Sequence, residues 1–148
     1  MSRPGLERFA RRAQKLSRAE GEVDILITGD RRLRELNRRF LRRDKPTDVL
    51  SFATNEEGGG DIAISADYAR RSARLHDHSP SDELKILILH GMLHLAGHDH
   101  AVDQGQMARL EARLRQRLKL PRSLTERASS TPTERAKRAT PPTRRTSR

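Results

Sequence analysis

Cysteine is absent from all 148 residues, which excludes a disulfide framework and any metal site built on thiolates. Secretion gains no support from that composition. Aromatic side chains are nearly as scarce, with one tyrosine and three phenylalanines, so extensive stacking of nucleobases on aromatic platforms is not expected. Long apolar runs are missing too. The opening Met-Ser-Arg-Pro-Gly-Leu-Glu-Arg lacks the apolar core of a signal peptide, and no stretch approaches the length of a membrane span. A soluble, cytoplasmic protein is the expectation.

Positive charge, by contrast, is abundant. Lysine and arginine number 31 against 20 acidic residues, a formal net charge of +11, and such an excess favours partners that carry phosphate or anionic lipid. Residues 121–148 hold eight of the basic and two of the acidic side chains, so about half of the excess lies on this tail. Ser, Thr, Pro, Ala and Arg dominate it, and Leu124 is its only large apolar residue. With so little to bury, nothing offsets the entropy of ordering it, and the tail is expected to be disordered. The 148 residues are enough for one domain with a real core and too few for two ordinary ones, and that domain is expected over residues 1–120.

Periodicity divides that domain into elements. Leu6, Phe9, Ala10, Ala13 and Leu16 recur at steps of three and four over residues 4–18, the stripe of an amphipathic helix. Residues 22–28 alternate as a strand, and Gly29-Asp30 opens a second helix to about Phe40 with Leu33, Leu36, Asn37 and Phe40 on its inner side. Pro46 interrupts the chain. Residues 47–54 and 61–65 read as two strands joined through Asn55-Glu-Glu-Gly-Gly-Gly60, a hairpin. Ser65 can cap a helix reaching Ala73 or Leu75, and the loop that follows carries His76 and His78, expected to be solvated. Ser81-Asp-Glu-Leu has the signals of a helix start, and the apolar residues after it cover nearly every face, so this helix should be buried. A last helix, about residues 102–118, turns Met107, Leu110, Leu114 and Leu118 inward and its arginines outward.

The buried helix carries the chemistry. His90-Gly-Met-Leu-His94-Leu-Ala-Gly97-His-Asp-His100 places three imidazoles at i, i+4 and i+10. Residues four apart lie on one helical face, so His90 and His94 project together. Gly97 can adopt the left-handed backbone that ends a helix, allowing His100 to return towards the same point. Three nitrogen ligands without cysteine suit zinc and leave one coordination position for water, whose pKa zinc can lower to about 7. The spacing matches the zinc-protease pattern H-E-x-x-H-x-x-G-x-x-H except at its second position, where Gly91 replaces the glutamate that peptide hydrolysis uses. A peptidase is therefore disfavoured, while the metal cage is intact.

These residues resemble the YbeY endoribonucleases, also described as rRNA maturation factors, in which a helix carries H-G-x-L-H-L-x-G-x-D-H. Upstream, Asn37, Phe40, Asp44, Lys45 and Pro46 lead into Thr47-Asp-Val-Leu-Ser-Phe52, and Gly60-Asp-Ile-Ala-Ile64 is similar to the family's G-D-I strand. The resemblance covers roughly residues 20–118. It implies an α/β (α+β) fold: one small domain with a mostly four-stranded mixed sheet packed with helices, a central metal-binding helix and, beyond it, the basic tail. It further implies one zinc ion per chain held by His90, His94 and His100, and single-strand-specific cleavage of RNA in 16S rRNA 3′-end maturation and ribosome quality control. Partners implied are RNA, above all rRNA and the ribosome, with ribosomal or GTPase proteins beside them and no membrane. The family often places an arginine directly after the aromatic residue of N-x-x-[YF]-R, whereas this chain has Leu41 followed by Arg42. The strand that the family usually places before its first helix is not evident in residues 1–5.

On this reading the zinc-bound water acts at a phosphodiester, the metal polarises a phosphoryl oxygen, and Arg38, Arg39, Arg42, Arg43 and Lys45 are the phosphate-binding candidates. No general acid or base is evident. Asp48 and Asp99 are candidates only for orienting a ligand. The competing reading is a ribosome-associated RNA-binding factor with a structural zinc and little or no nuclease activity.

Overall fold

A computed structural model describes residues 2–42, 47–54, 59–98 and 102–121. The order of elements is α1 (Arg3–Ser17), β1 (Val23–Thr28), α2 (Asp30–Leu41), β2 (Val49–Ala53), β3 (Gly60–Ser65), α3 (Ala66–His76), α4 (Pro80–Leu95) and α5 (Gln106–Arg117). Strands β1 and β3 are parallel and β2 is antiparallel to β3, giving a mixed sheet in the order β1-β3-β2. The expected hairpin of β2 and β3 is present, with Val49 opposite Ile64 and Ala53 opposite Gly60.

Among the described residues the sheet has three strands where four were expected. The reason is local: Ser2 is already a helix cap, its hydroxyl accepting the Gly5 N–H at 3.1 Å, and Pro4 stands in the first turn. That pre-set geometry commits the chain to helix from Arg3 onwards. The tail from residue 122 and the boundary drawn at residue 120 lie outside, or at the edge of, the described residues.

Alternation along the strands gives the sheet two different faces. Val49, Ile62 and Ile64 point to the larger core, which they share with Ala13, Ile86, Leu87, Leu89, Leu93 and Met107. Leu50 and Ala63 point to a smaller core completed by Leu33 and Leu41. Helix α4 therefore packs on one face, with α1, α3 and α5 against it, and α2 covers part of the other. Two starts differ from expectation. Helix α4 begins at Pro80 behind a Ser79 cap, which accepts the Asp82 N–H at 3.0 Å, because proline fits the first helical position better than Ser81 fits the cap. Helix α5 begins only at Gln106, where the Asp103 carboxylate accepts the N–H groups of Gly105 and Met107, both at 2.9 Å.

Candidate metal centre

Helix α4 is buried on nearly every side, which agrees with its apolar sequence. Gly91 explains how closely it approaches the sheet. A β-carbon there would meet Ile62 Cγ2 at 2.9 Å, Ile62 Cδ1 at 3.1 Å and Ser51 Oγ at 3.2 Å. The Ser51 hydroxyl also donates to the Gly91 carbonyl at 3.2 Å. The position that a zinc peptidase gives to its glutamate thus faces the packed sheet, where no such side chain fits.

One turn apart on another face of α4, His90 and His94 are both buried. Their Nε2 atoms face each other 3.0 Å apart, with ring centroids at 4.6 Å and planes inclined by 70°. At that distance either one nitrogen donates to the other, or both direct lone pairs at a shared electrophile, because two facing lone pairs repel. Behind His90, Nδ1 lies 3.1 and 3.2 Å from the two carboxylate oxygens of Glu111. Nδ1–H must donate to that acceptor, which leaves the His90 Nε2 bare in the neutral ring. Glu111 is itself held by Arg115, whose Nη2 donates at 3.4 Å, and both side chains are buried.

This donor set fits a zinc ion. Two tetrahedral nitrogen ligands at roughly 2.0–2.1 Å from the metal lie about 3.3 Å apart, within a few tenths of an ångström of the separation found here. A ligating imidazole backed by a carboxylate is the usual arrangement that fixes ring orientation. Gly97 has φ +105°, as the spacing predicts, and it ends α4 with the Gly97 N–H on the His94 carbonyl at 3.0 Å and the His98 N–H on the Leu93 carbonyl at 3.1 Å. This pair of bonds is a Schellman motif, and it turns the chain out of the helix at Gly97. His100 and Asp99 lie outside the described residues, and among the described residues no group of three potential metal ligands is found.

The other candidates are distributed differently. Arg38 and Arg39, in the last turn of α2, and Arg42, its left-handed cap with φ 58°, are exposed. All three belong to α2 or its cap, which packs on the opposite side of the sheet from α4. Arg43 and Lys45 lie outside the described residues. Leu41, where the resemblance implied an arginine, is 6% exposed and fills the smaller core, and Arg42 is the next side chain at the surface. Asp48 is buried and its carboxylate accepts the Val49 N–H at 2.8 Å, a role at the start of β2. His78 is not solvated. Its side chain is buried and its Nδ1 pairs with Glu83 at 2.8 Å, since the turn after α3 folds it under the first turn of α4.

Sequence reasoning missed Glu111 and Arg115. The signal for Glu111 was present: it lies four residues after Met107, on the apolar stripe of α5, where a charged residue needs a buried partner. Arg115, expected outward, turns in to meet it.

A sequence profile described as Endoribonuclease YbeY matches residues 5–119. The chain belongs to the YbeY endoribonuclease family. It is 52% identical to the endoribonuclease YbeY of Koribacter versatilis over 139 residues, 93% of this chain and 91% of that relative. With the endoribonuclease YbeY of Solibacter usitatus it shares 53% identity over 130 residues, 88% of each. The solution structure of a Thermotoga maritima protein matches with a TM-score of 0.54 and 22% identity, covering 88% of this chain and 89% of that one. At that identity the likeness concerns the fold alone: a small α+β domain with a mixed sheet. In this chain His90 and His94 lie on α4, and Asn37 and Phe40 on the end of α2.

Proposed function

We propose that this protein is a zinc-dependent, single-strand-specific endoribonuclease that acts in the cytoplasm on 16S rRNA 3′-end maturation and in ribosome quality control. Family membership supports the reaction class, and the observation that carries the reading is the facing pair of His90 and His94 Nε2 atoms with Glu111 behind His90. The ligands are His90, His94 and His100, one ion per chain. When bound, zinc supplies a water of lowered pKa and a Lewis acid for the phosphoryl oxygen.

The chain's own residues do the rest. Glu111 accepts the hydrogen bond of the His90 Nδ1–H and holds that ring with its Nε2 directed at the metal position. Arg115 neutralises Glu111 from the far side, so the carboxylate is not an isolated buried charge. Gly91 seats α4 on the sheet and so fixes the depth of both histidines. Exposed Arg38, Arg39 and Arg42, with Arg43 and Lys45, hold phosphates of the substrate strand. The test is zinc content together with cleavage. Wild-type protein should bind about one zinc and cut single-stranded RNA, and folded His90→Ala and His94→Ala variants should lose both properties. Zinc retention at wild-type affinity in both variants would contradict the assignment.

A further inference from the structure

The face of the sheet turned away from the histidines carries a cleft of about 560 Å³. Asp24, Leu26, Leu36, Phe40, Phe52 and Asp61 form the part of it that matters here. One row across the strands is set by register: Asp24 lies opposite Asp61, and Asp61 opposite Phe52. Two carboxylates side by side on neighbouring strands repel each other, and neither is ion-paired to a described residue. Over Phe52 stands Phe40, with ring centroids 5.5 Å apart and planes inclined by 61°. The Arg39 guanidinium lies 5.5 Å from the Phe40 centroid, and Phe40 is 45% exposed. Two of the chain's three phenylalanines thus meet in one cleft, with acceptors on its floor and the Arg39 guanidinium at its edge.

We propose that this cleft is a nucleobase subsite for single-stranded RNA, an inference that rests on the function proposed above. The base lies against Phe40 and Phe52, its exocyclic amino group donates to Asp24 and Asp61, and the flanking phosphates remain outside on Arg38, Arg39 and Arg42. Aromatic stacking is tolerant of sequence, whereas the carboxylates are not. They accept from the 4-amino group of cytosine and repel the 4-carbonyl oxygen of uracil. Position favours the same occupant. Gly60, the neighbour of Asp61, sits so close to Leu95, the neighbour of His94, that a β-carbon on it would meet Leu95 Cδ2 at 2.9 Å. The cleft and the histidine pair therefore lie at the same end of the sheet, on its two faces, and a strand passing round that end reaches both. The Arg39 guanidinium at the edge disfavours the basic tail as occupant.

The experiment measures binding of labelled octanucleotides to the full-length protein at one salt concentration, with chelator present to prevent cleavage. The probes are oligo(C), oligo(U) and an abasic ribose-phosphate octamer. Wild type should bind oligo(C) about tenfold more tightly than oligo(U), and both more tightly than the abasic strand. Phe40→Ala should bring oligo(C) and oligo(U) close to the abasic strand. Asp61→Ala should remove the difference between C and U and keep the advantage of both over the abasic strand. Leu75→Ala, at a 78% exposed position on α3, should behave as wild type. Equal affinity of the wild type for all three probes would overturn the subsite. So would Phe40→Ala binding as tightly as wild type or tighter, the latter pointing to another occupant such as the tail. A wild type that cuts RNA yet shows no base dependence removes the subsite alone. A wild type that neither binds nor cuts removes the function with it.

Discussion

Glu111 and Arg115 are an ion pair that has left water to stand behind a histidine, and the two partners differ in what their loss should do. Replacing Glu111 with glutamine keeps an acceptor for the His90 Nδ1–H and removes the charge that raises ligand basicity. Zinc affinity should fall by about 10- to 100-fold, read by competition with a chromophoric chelator, while the circular dichroism spectrum is unchanged. Unaltered affinity would mean that the carboxylate serves packing only. Glu111→Ala goes further, because Arg115 is then left buried without its anion, and the variant should be about 3 kcal/mol less stable to urea. The histidine spacing was legible in the sequence because i and i+4 share a face in any helix. Glu111 was not assigned, because its role depends on which helix packs beside α4, and no local pattern states that.

Between elements, close approach decides more than helix propensity does. Alanine at Gly91 would gain up to about 1 kcal/mol in an isolated helix, yet here its methyl would press on Ile62 and Ser51 inside the core. Overpacking of this kind costs about 1–3 kcal/mol. Gly91→Ala should therefore lower the urea midpoint with little change in slope, and a raised midpoint would show that α4 can lift without cost. A second junction joins α2 to α3. Asp67 accepts the Asp30 N–H at 2.9 Å, and the Asp30 carboxylate accepts from the Ser65 hydroxyl at 2.6 Å and from Arg71 at 2.7 Å. Burial by itself would raise the Asp30 carboxyl, but the bonds from Arg71 and Ser65 outweigh it and hold the group below its ordinary value of 3.8. The same bond raises the Arg71 guanidinium. As pH falls the unfolded chain takes up this proton first, so the stabilisation is complete above about pH 4 and is lost beneath it. In Asp30→Asn, the drop in melting temperature between pH 5 and pH 3 should be smaller than in wild type; an equal drop would remove Asp30 from the acid response. Strand alternation and the β2–β3 hairpin were readable from side-chain period, whereas the cap at Ser79 and the late start of α5 depend on proline geometry and on one aspartate reaching two backbone amides. The four-strand expectation came from the resemblance, whereas among the described residues Ser2 already caps α1.

At the scale of the molecule, one sheet separates two kinds of surface. Helix α4 carries the candidate metal centre on one face, and the end of α2 presents arginines and an aromatic cleft on the other. A net charge of +11 favours polyanionic partners, and on the proposed function binding to single-stranded RNA should weaken steeply with salt. If the tail contributes, truncation after Leu120 should flatten the slope of log affinity against log salt; an unchanged slope would confine binding to the folded domain. The measurement that bears most directly on the central claim is cleavage of a single-stranded rRNA fragment by wild type and a folded His94→Ala variant, purified side by side and assayed with and without chelator. The prediction is that wild type alone cuts and that chelation abolishes the cutting. Equal cleavage by both proteins, or by neither, would contradict an active site built on the α4 histidines.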